Sequence, residues 1–175
     1  MSIKQTLRNN ITQIENRDDL TESQKIARIR TIACATCAGM AIQPLPFADI
    51  FILTPTQAYF ATRIAAIRGI EISESSAADW IKELLGIVGL GILAQNIAIA
   101  AWKVVAMGFG GWFTVPLVYG LTYAIMKICD VYFQKKKLGQ EMRPQELRRM
   151  WKAELKKGKE LGKGNANSAV SNKNP

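Results

Sequence analysis

The sequence predicts an all-α fold, a helical bundle with a glycine-rich apolar helical hairpin set at a membrane, and three observations lead there. Apolar residues recur at spacings of three and four, helix start and stop signals punctuate the chain, and no useful stretch alternates with the period of a strand. Charge is also absent from long inner stretches and crowded at the ends. A chain of 175 residues is long enough for one domain with its own core.

Ile3, Leu7, Ile11 and Ile14 form one stripe of an amphipathic helix over Ile3 to Glu15, which Asn16 to Asp19 break. Thr21 and Gln24 stand at capping-box spacing and open a second helix that runs toward Met40. Pro44 and Pro46 close it, because proline lacks the backbone donor and restricts its predecessor. After an apolar turn at 47–53, Thr54-Pro55-Thr56-Gln57 predicts an N-cap with proline at the first helical position, and Gly69 predicts the stop.

Ser73 to Ser76 form the next cap region, with Ser76 and Asp79 at capping-box spacing, and Trp80 opens a long helix. Nineteen residues from Leu84 to Trp102 and twenty-three from Val104 to Met126 carry no charge, with Lys103 between them. At 1.5 Å per residue they reach roughly 28 and 34 Å, near the roughly 30 Å hydrocarbon core of a bilayer. Residues 84–126 therefore predict an apolar hairpin. Gly108, Gly110 and Gly111 form its tip turn, flanked by Trp102 and Trp112 as interface anchors.

Gly86, Gly89, Gly91, Ala94 and Ala98 line one side of the first arm and predict a seam for close helix packing. Gln95 and Asn96 oppose simple spanning, since their amides would lack water in lipid. A last helix is expected from Pro144 to about Leu161, and Gly162 to Pro175 reads as disordered. The organisation is then an N-terminal amphipathic helix (1–20), a helical domain (21–134), a basic amphipathic helix (135–163) and a disordered tail (164–175).

The net charge of +9 is local. Residues 1–134 hold eleven Lys/Arg and ten Asp/Glu, whereas 135–163 hold eleven Lys/Arg and four Glu. Lys135, Lys136, Lys137, Arg148, Arg149, Lys152, Lys156 and Lys157, with Trp151 among them, suit anionic headgroups. The bland alternative is a solvated helix face. Nucleic acid is the disfavoured ligand, because no aromatic-interleaved platform or DNA-binding helix pair accompanies the charge.

The chain has no histidine, which excludes imidazole bases, Ser-His and Cys-His nucleophile pairs and His-containing metal sites. Cys34 and Cys37 have C-x-x-C spacing without a second pair, and with Cys129 they give an odd count. Small apolar neighbours mark them as packing residues. No paired carboxylates or activated nucleophile emerge, so the expectation is a protein that is not an enzyme and has no cofactor, metal or small-molecule substrate. Asp49, Thr54, Gln57 and Arg63 are polar among apolar neighbours and predict a structural network, with Asp49 facing Arg63 or the helix start at Thr54.

Pro44-Leu45-Pro46-Phe47-Ala48-Asp49, Leu53-Thr54-Pro55-Thr56-Gln57 and Arg63-Ile64-Ala65-Ala66-Ile67-Arg68-Gly69-Ile70 occur in that order, followed by a glycine-spotted apolar region and an aromatic-ended segment from Tyr123 to Phe133. Over about residues 25–134 the chain resembles the YcjF-like, GTPase-associated domain-of-unknown-function family. The resemblance implies membrane association and a link to a GTPase, which in fused members lies in the same chain. Here no G-x-x-x-x-G-K-[ST] loop is present, so the GTPase would be a separate partner.

The leading expectation is thus a non-enzymatic, membrane-associated accessory or adaptor protein on the cytoplasmic side, with no cleaved signal peptide. Lys82, Lys127 and Lys135 to Lys137 outnumber the lone Lys103, as the positive-inside tendency requires. The alternatives are a soluble helical interaction or ligand-binding module, and a self-associating pore or membrane-remodelling protein.

Overall fold

Periodic apolar stripes become buried faces in the computed structural model, which describes residues 3–40, 48–89 and 110–171, with side chains over 5–40, 53–89 and 115–164. All regular structure in these residues is helical. The elements are α1 (Ile3–Glu15), α2 (Glu22–Met40), α3 (Ala48–Ile67), α4 (Glu74–Ile87), α5 (Gly110–Lys137) and α6 (Pro144–Ser171).

Local chemistry sets most boundaries. The Thr21 backbone N–H donates to Gln24 Oε1 at 2.9 Å and the Gln24 N–H donates to Thr21 Oγ1 at 3.3 Å, so two orphan donors of α2 are satisfied reciprocally. At the end of α3, Gly69 takes φ 77°, its N–H bonds the Ala66 carbonyl and the Ile70 N–H bonds the Ala65 carbonyl. This paired closure needs a left-handed residue, which glycine supplies without Cβ strain.

Three expected boundaries are corrected. The helix α3 begins at Ala48, so Pro55 lies in its interior and Thr54 is not an N-cap. The loss of one backbone donor at Pro55 is tolerated because the preceding turn is anchored by Leu53, which packs with Cys37 and Val118. The cap of α4 is Ser73, whose hydroxyl accepts from the Ser76 N–H at 3.1 Å, so that helix starts well before Trp80. The helix α6 continues to Ser171, through residues expected to be disordered.

The hairpin of 84–126 is also corrected where it can be followed. The helix α4 stops at Ile87, with Gly89 at φ 81°, so Leu84 to Trp102 is not one helix. Gly110 and Gly111 begin α5 rather than a turn. Trp102, Gly108, Gly91, Ala94, Gln95, Asn96 and Ala98 lie outside the described residues. No helix among the described residues is long and apolar enough to cross a membrane.

One core takes side chains from all six helices. Ile11 of α1, Ile26 and Ile29 of α2, Phe60 and Ile64 of α3, Ile81 and Leu84 of α4, Met126, Ile128 and Phe133 of α5, and Leu147 and Trp151 of α6 all belong to it. Burial of each large aliphatic or aromatic side chain contributes roughly 1.5–3 kcal/mol. Trp80 lies 4.6 Å from the Tyr132 ring and ties α4 to α5.

The buried polar side chains Gln57, Thr122, Arg68 and Asp130 are paired, whereas Glu154 Oε2 is buried without a hydrogen-bond partner. Arg68, at the end of α3, donates from Nε and Nη2 to Asp130 Oδ1 at 2.9 and 2.6 Å, and from Nη1 to Glu22 Oε2 at 3.0 Å. It thereby fastens α3 to α5 and to the start of α2. The helices α5 and α6 are antiparallel, since Gly158 meets Gly120 and Gly162 meets Pro116 and Tyr119.

Candidate functional site

The strongest functional feature is the outward face of α6. Pro144 opens this helix at the position where its missing N–H costs nothing. Leu147, Trp151, Gly158 and Gly162 are buried in one stripe. The opposite side then exposes Arg148, Arg149, Lys152, Lys156, Lys157 and Lys163, with Glu160 as the exposed acid of that helix face.

These cations do not all serve one purpose. The Lys135 ammonium pairs with Glu146 Oε2 at 2.8 Å across the α5–α6 turn, and Lys136 lies 5.9 Å from the Tyr132 ring centre. That pairing also holds the Glu146 carboxyl below its ordinary range. The Lys137 Nζ lies beside Gly69, and the Arg148 Nε donates to the Ile87 carbonyl at 2.9 Å, closing the C-terminus of α4. Arg149, Lys152, Lys156 and Lys157 make no ion pair among the described residues, although the charge of Arg149 acts on Glu146 beside it, so Lys152, Lys156 and Lys157 remain the available cations. Trp151, grouped from the sequence with the basic residues as suited to anionic headgroups, is 5% exposed and belongs to the core. The face is electrostatic, with Leu161 at 44% exposure as its large apolar member.

Of the expected packing seam only Gly86 and Gly89 fall among the described residues. A Cβ on Gly86 or Gly89 would meet nothing within 4 Å. Among the described residues close approach falls at Gly120, Gly158 and Gly162, where an added Cβ would stand 2.7–3.0 Å from its nearest neighbour. The G-x-x-x-G spacing of Gly158 and Gly162 was the signal that marked this contact, but the surrounding lysines disguise it.

The expected polar network divides into two separate contacts. Gln57 Nε2 donates to Thr122 Oγ1 at 3.1 Å between α3 and α5. Arg63 pairs with Glu15, its Nε at 2.7 Å from Oε1 and its Nη2 on Oε2. Thr54 is half-buried on α3, and the Asp49 side chain lies outside the described residues.

Cys34, Cys37 and Cys129 are buried free thiols. Burial pushes all three up, Cys37 to about 11, with the Thr122 hydroxyl drawing that thiol part of the way back. Among the described residues no three Cys, Asp or Glu side chains converge as a metal site. A surface cleft lined by Lys135, Gln140, Glu141, Arg143, Glu146 and Arg149 mixes both charge signs. No family model, curated protein or solved structure matches the chain.

Proposed function

We propose that this protein is a non-enzymatic accessory module that binds an anionic membrane surface through α6, and holds a partner protein there. The observation that carries the reading is the division of labour among the α6 cations. Arg148 fastens the bundle and Arg149 stands near Glu146, while Lys152, Lys156 and Lys157 are exposed and make no ion pair among the described residues. With Trp151 in the core, attraction to headgroups rather than deep side-chain insertion supplies the binding.

The resemblance over residues 25–134 supplies the partner: a separate GTPase recruited to the cytoplasmic side. Crosslinked copurification tests that half of the reading. The membrane half is tested by cosedimentation with phosphatidylcholine vesicles with and without phosphatidylserine. Each surface cation contributes about 1 kcal/mol to such binding, so the triple variant Lys152→Gln, Lys156→Gln, Lys157→Gln is expected to weaken it on the order of 100-fold. Added salt should weaken the wild type as well. Equal binding by the triple variant, or none by the wild type, would overturn the reading.

A further inference from the structure

We infer that α6 lies lengthwise on the membrane and responds to the density of negative charge there, not to the chemistry of any one headgroup. The inference rests on the membrane reading above and adds the class of lipid that the face accepts. Its basis is that the available cations stand in a line and do not converge on a point.

Lys152, Lys156, Lys159 and Lys163 follow one another at spacings of four, three and four, which keeps them on one flank of the helix. None of them forms an ion pair among the described residues. Lys152, Lys156 and Lys163 are exposed. The stem of Lys159 lies across Gly120 of α5, where an added Cβ would stand 2.7 Å from its Cγ. Gly120 therefore makes room for the apolar stem of a side chain whose charge belongs in water.

The row covers eleven residues, roughly 16 Å at 1.5 Å per residue. Physiological salt screens exposed charges from one another beyond roughly 8 Å, so the two ends of the row act independently. A site for one polyvalent headgroup needs the reverse arrangement, with several donors within hydrogen-bond reach of the same phosphate, and arginine forks suit it best. The two arginines of α6 are not offered in that way, since Arg148 is bonded to the Ile87 carbonyl and Arg149 stands beside Glu146. What remains is a row of lysines, which act as point charges without a fixed fork. Each adds its own attraction to the anionic lipid beneath it, and the sum follows the charge that the leaflet carries.

Glu160 subtracts from that sum. Its exposed carboxylate lies at i,i+4 from Lys156 and at i,i+3 from Lys157 and Lys163, so it shares their side of α6. A single acid among these cations raises the charge density at which binding begins.

Cosedimentation of the full chain tests the inference on three sets of phosphatidylcholine vesicles matched in electrophoretic mobility. One contains phosphatidylserine, one phosphatidylglycerol, and one a smaller fraction of a polyvalent phosphoinositide. The three should bind the protein alike, and more tightly as their anionic fraction rises. Glu160→Gln should bind about fivefold more tightly and Lys152→Gln about fivefold less, the contribution of one surface charge. Adding Ala153→Lys, at the exposed neighbouring position, to Lys152→Gln should rescue the loss, because charge is summed without regard to its exact place. A tenfold preference for one lipid at matched mobility, no gain in Glu160→Gln, or no rescue by Ala153→Lys overturns the charge-density inference alone. Failure of the wild type to bind any of the vesicles overturns the membrane reading with it.

Discussion

A methyl group on Gly158 of α6 would stand 2.9 Å from the Cα of Gly120 on α5, so these two glycines set the distance at which the helices pack. The same methyl would lie 2.7 Å from Tyr123 Cβ and 3.1 Å from the Gly120 carbonyl oxygen. None of these neighbours is the far end of a flexible side chain. Closeness at this point is what positions the α6 cations against the bundle.

Gly158→Ala opposes two effects. Alanine favours the helix by about 1 kcal/mol, while overpacking a backbone contact costs about 1–3 kcal/mol. The clash should win, because backbone has no rotamer with which to yield. Thermal melting is expected to fall by a few degrees. Gly86→Ala, where a Cβ meets nothing within 4 Å, should raise the midpoint by up to about 3 °C. If both variants move the midpoint upward, the α5–α6 seam does not limit packing.

Arg68 offers a sharper test of what joins the bundle at its charged end. Arg68→Met leaves the 7% exposed Asp130 without its partner, whereas Glu22 retains water. Removing one member of a buried pair costs about 3–5 kcal/mol, while replacing both by apolar residues is often nearly neutral. The double variant Arg68→Met, Asp130→Leu should therefore recover much of the loss in urea denaturation. Equal destabilisation by the single and double variants would show that the charge left behind is not what matters.

Much of this architecture was legible in the sequence because local chemistry decided it. The stripe Ile3, Leu7, Ile11, Ile14, the Thr21–Gln24 box and the Gly69 stop each specify their element within a few residues. Errors arose where tertiary contact overrode a local signal. Pro55 reads as a helix start, yet Leu53 finds partners that hold a turn before it. Gly86 and Gly89 read as a seam in an apolar run, but the helix stops at Ile87, and a close helix contact sits among lysines at Gly158 and Gly162. The α6 cations were visible as a group. Which of them fasten the bundle depended on distant partners such as the Ile87 carbonyl, and no spacing rule encodes that.

The buried amide of Gln57 is satisfied by Thr122 across α3 and α5. Gln57→Leu removes this donor while the Thr122 hydroxyl keeps its contact with the Cys37 thiol, and should cost about 0.5–1.5 kcal/mol, the net contribution of one hydrogen bond. Thr122→Val should then cost less in the Gln57→Leu background than in the wild type, where it also leaves the Gln57 amide without its acceptor. A thermodynamic cycle measured by denaturant midpoints should show a favourable coupling between the two residues. Strictly additive losses would mean that the contact contributes nothing of its own.

The three thiols make an alkaline prediction whose sign follows from burial. An unfolded cysteine releases its proton near pH 8.5, whereas folded Cys37 holds it to about 11, and Cys34 and Cys129 are shifted in the same direction. Between these limits the unfolded chain binds fewer protons, so stability is complete below about pH 8.5 and declines as pH rises. By pH 10 a thiol that stays protonated only when folded removes about 2 kcal/mol relative to pH 8. Denaturant midpoints should therefore drop over that interval, and the drop should shrink in Cys37→Ala. Native protein at pH 8 should resist a thiol reagent that reacts fully in denaturant. Rapid native labelling of Cys37, or a pH dependence identical in Cys37→Ala, would mean that this thiol is not sealed between α2, α3 and α5.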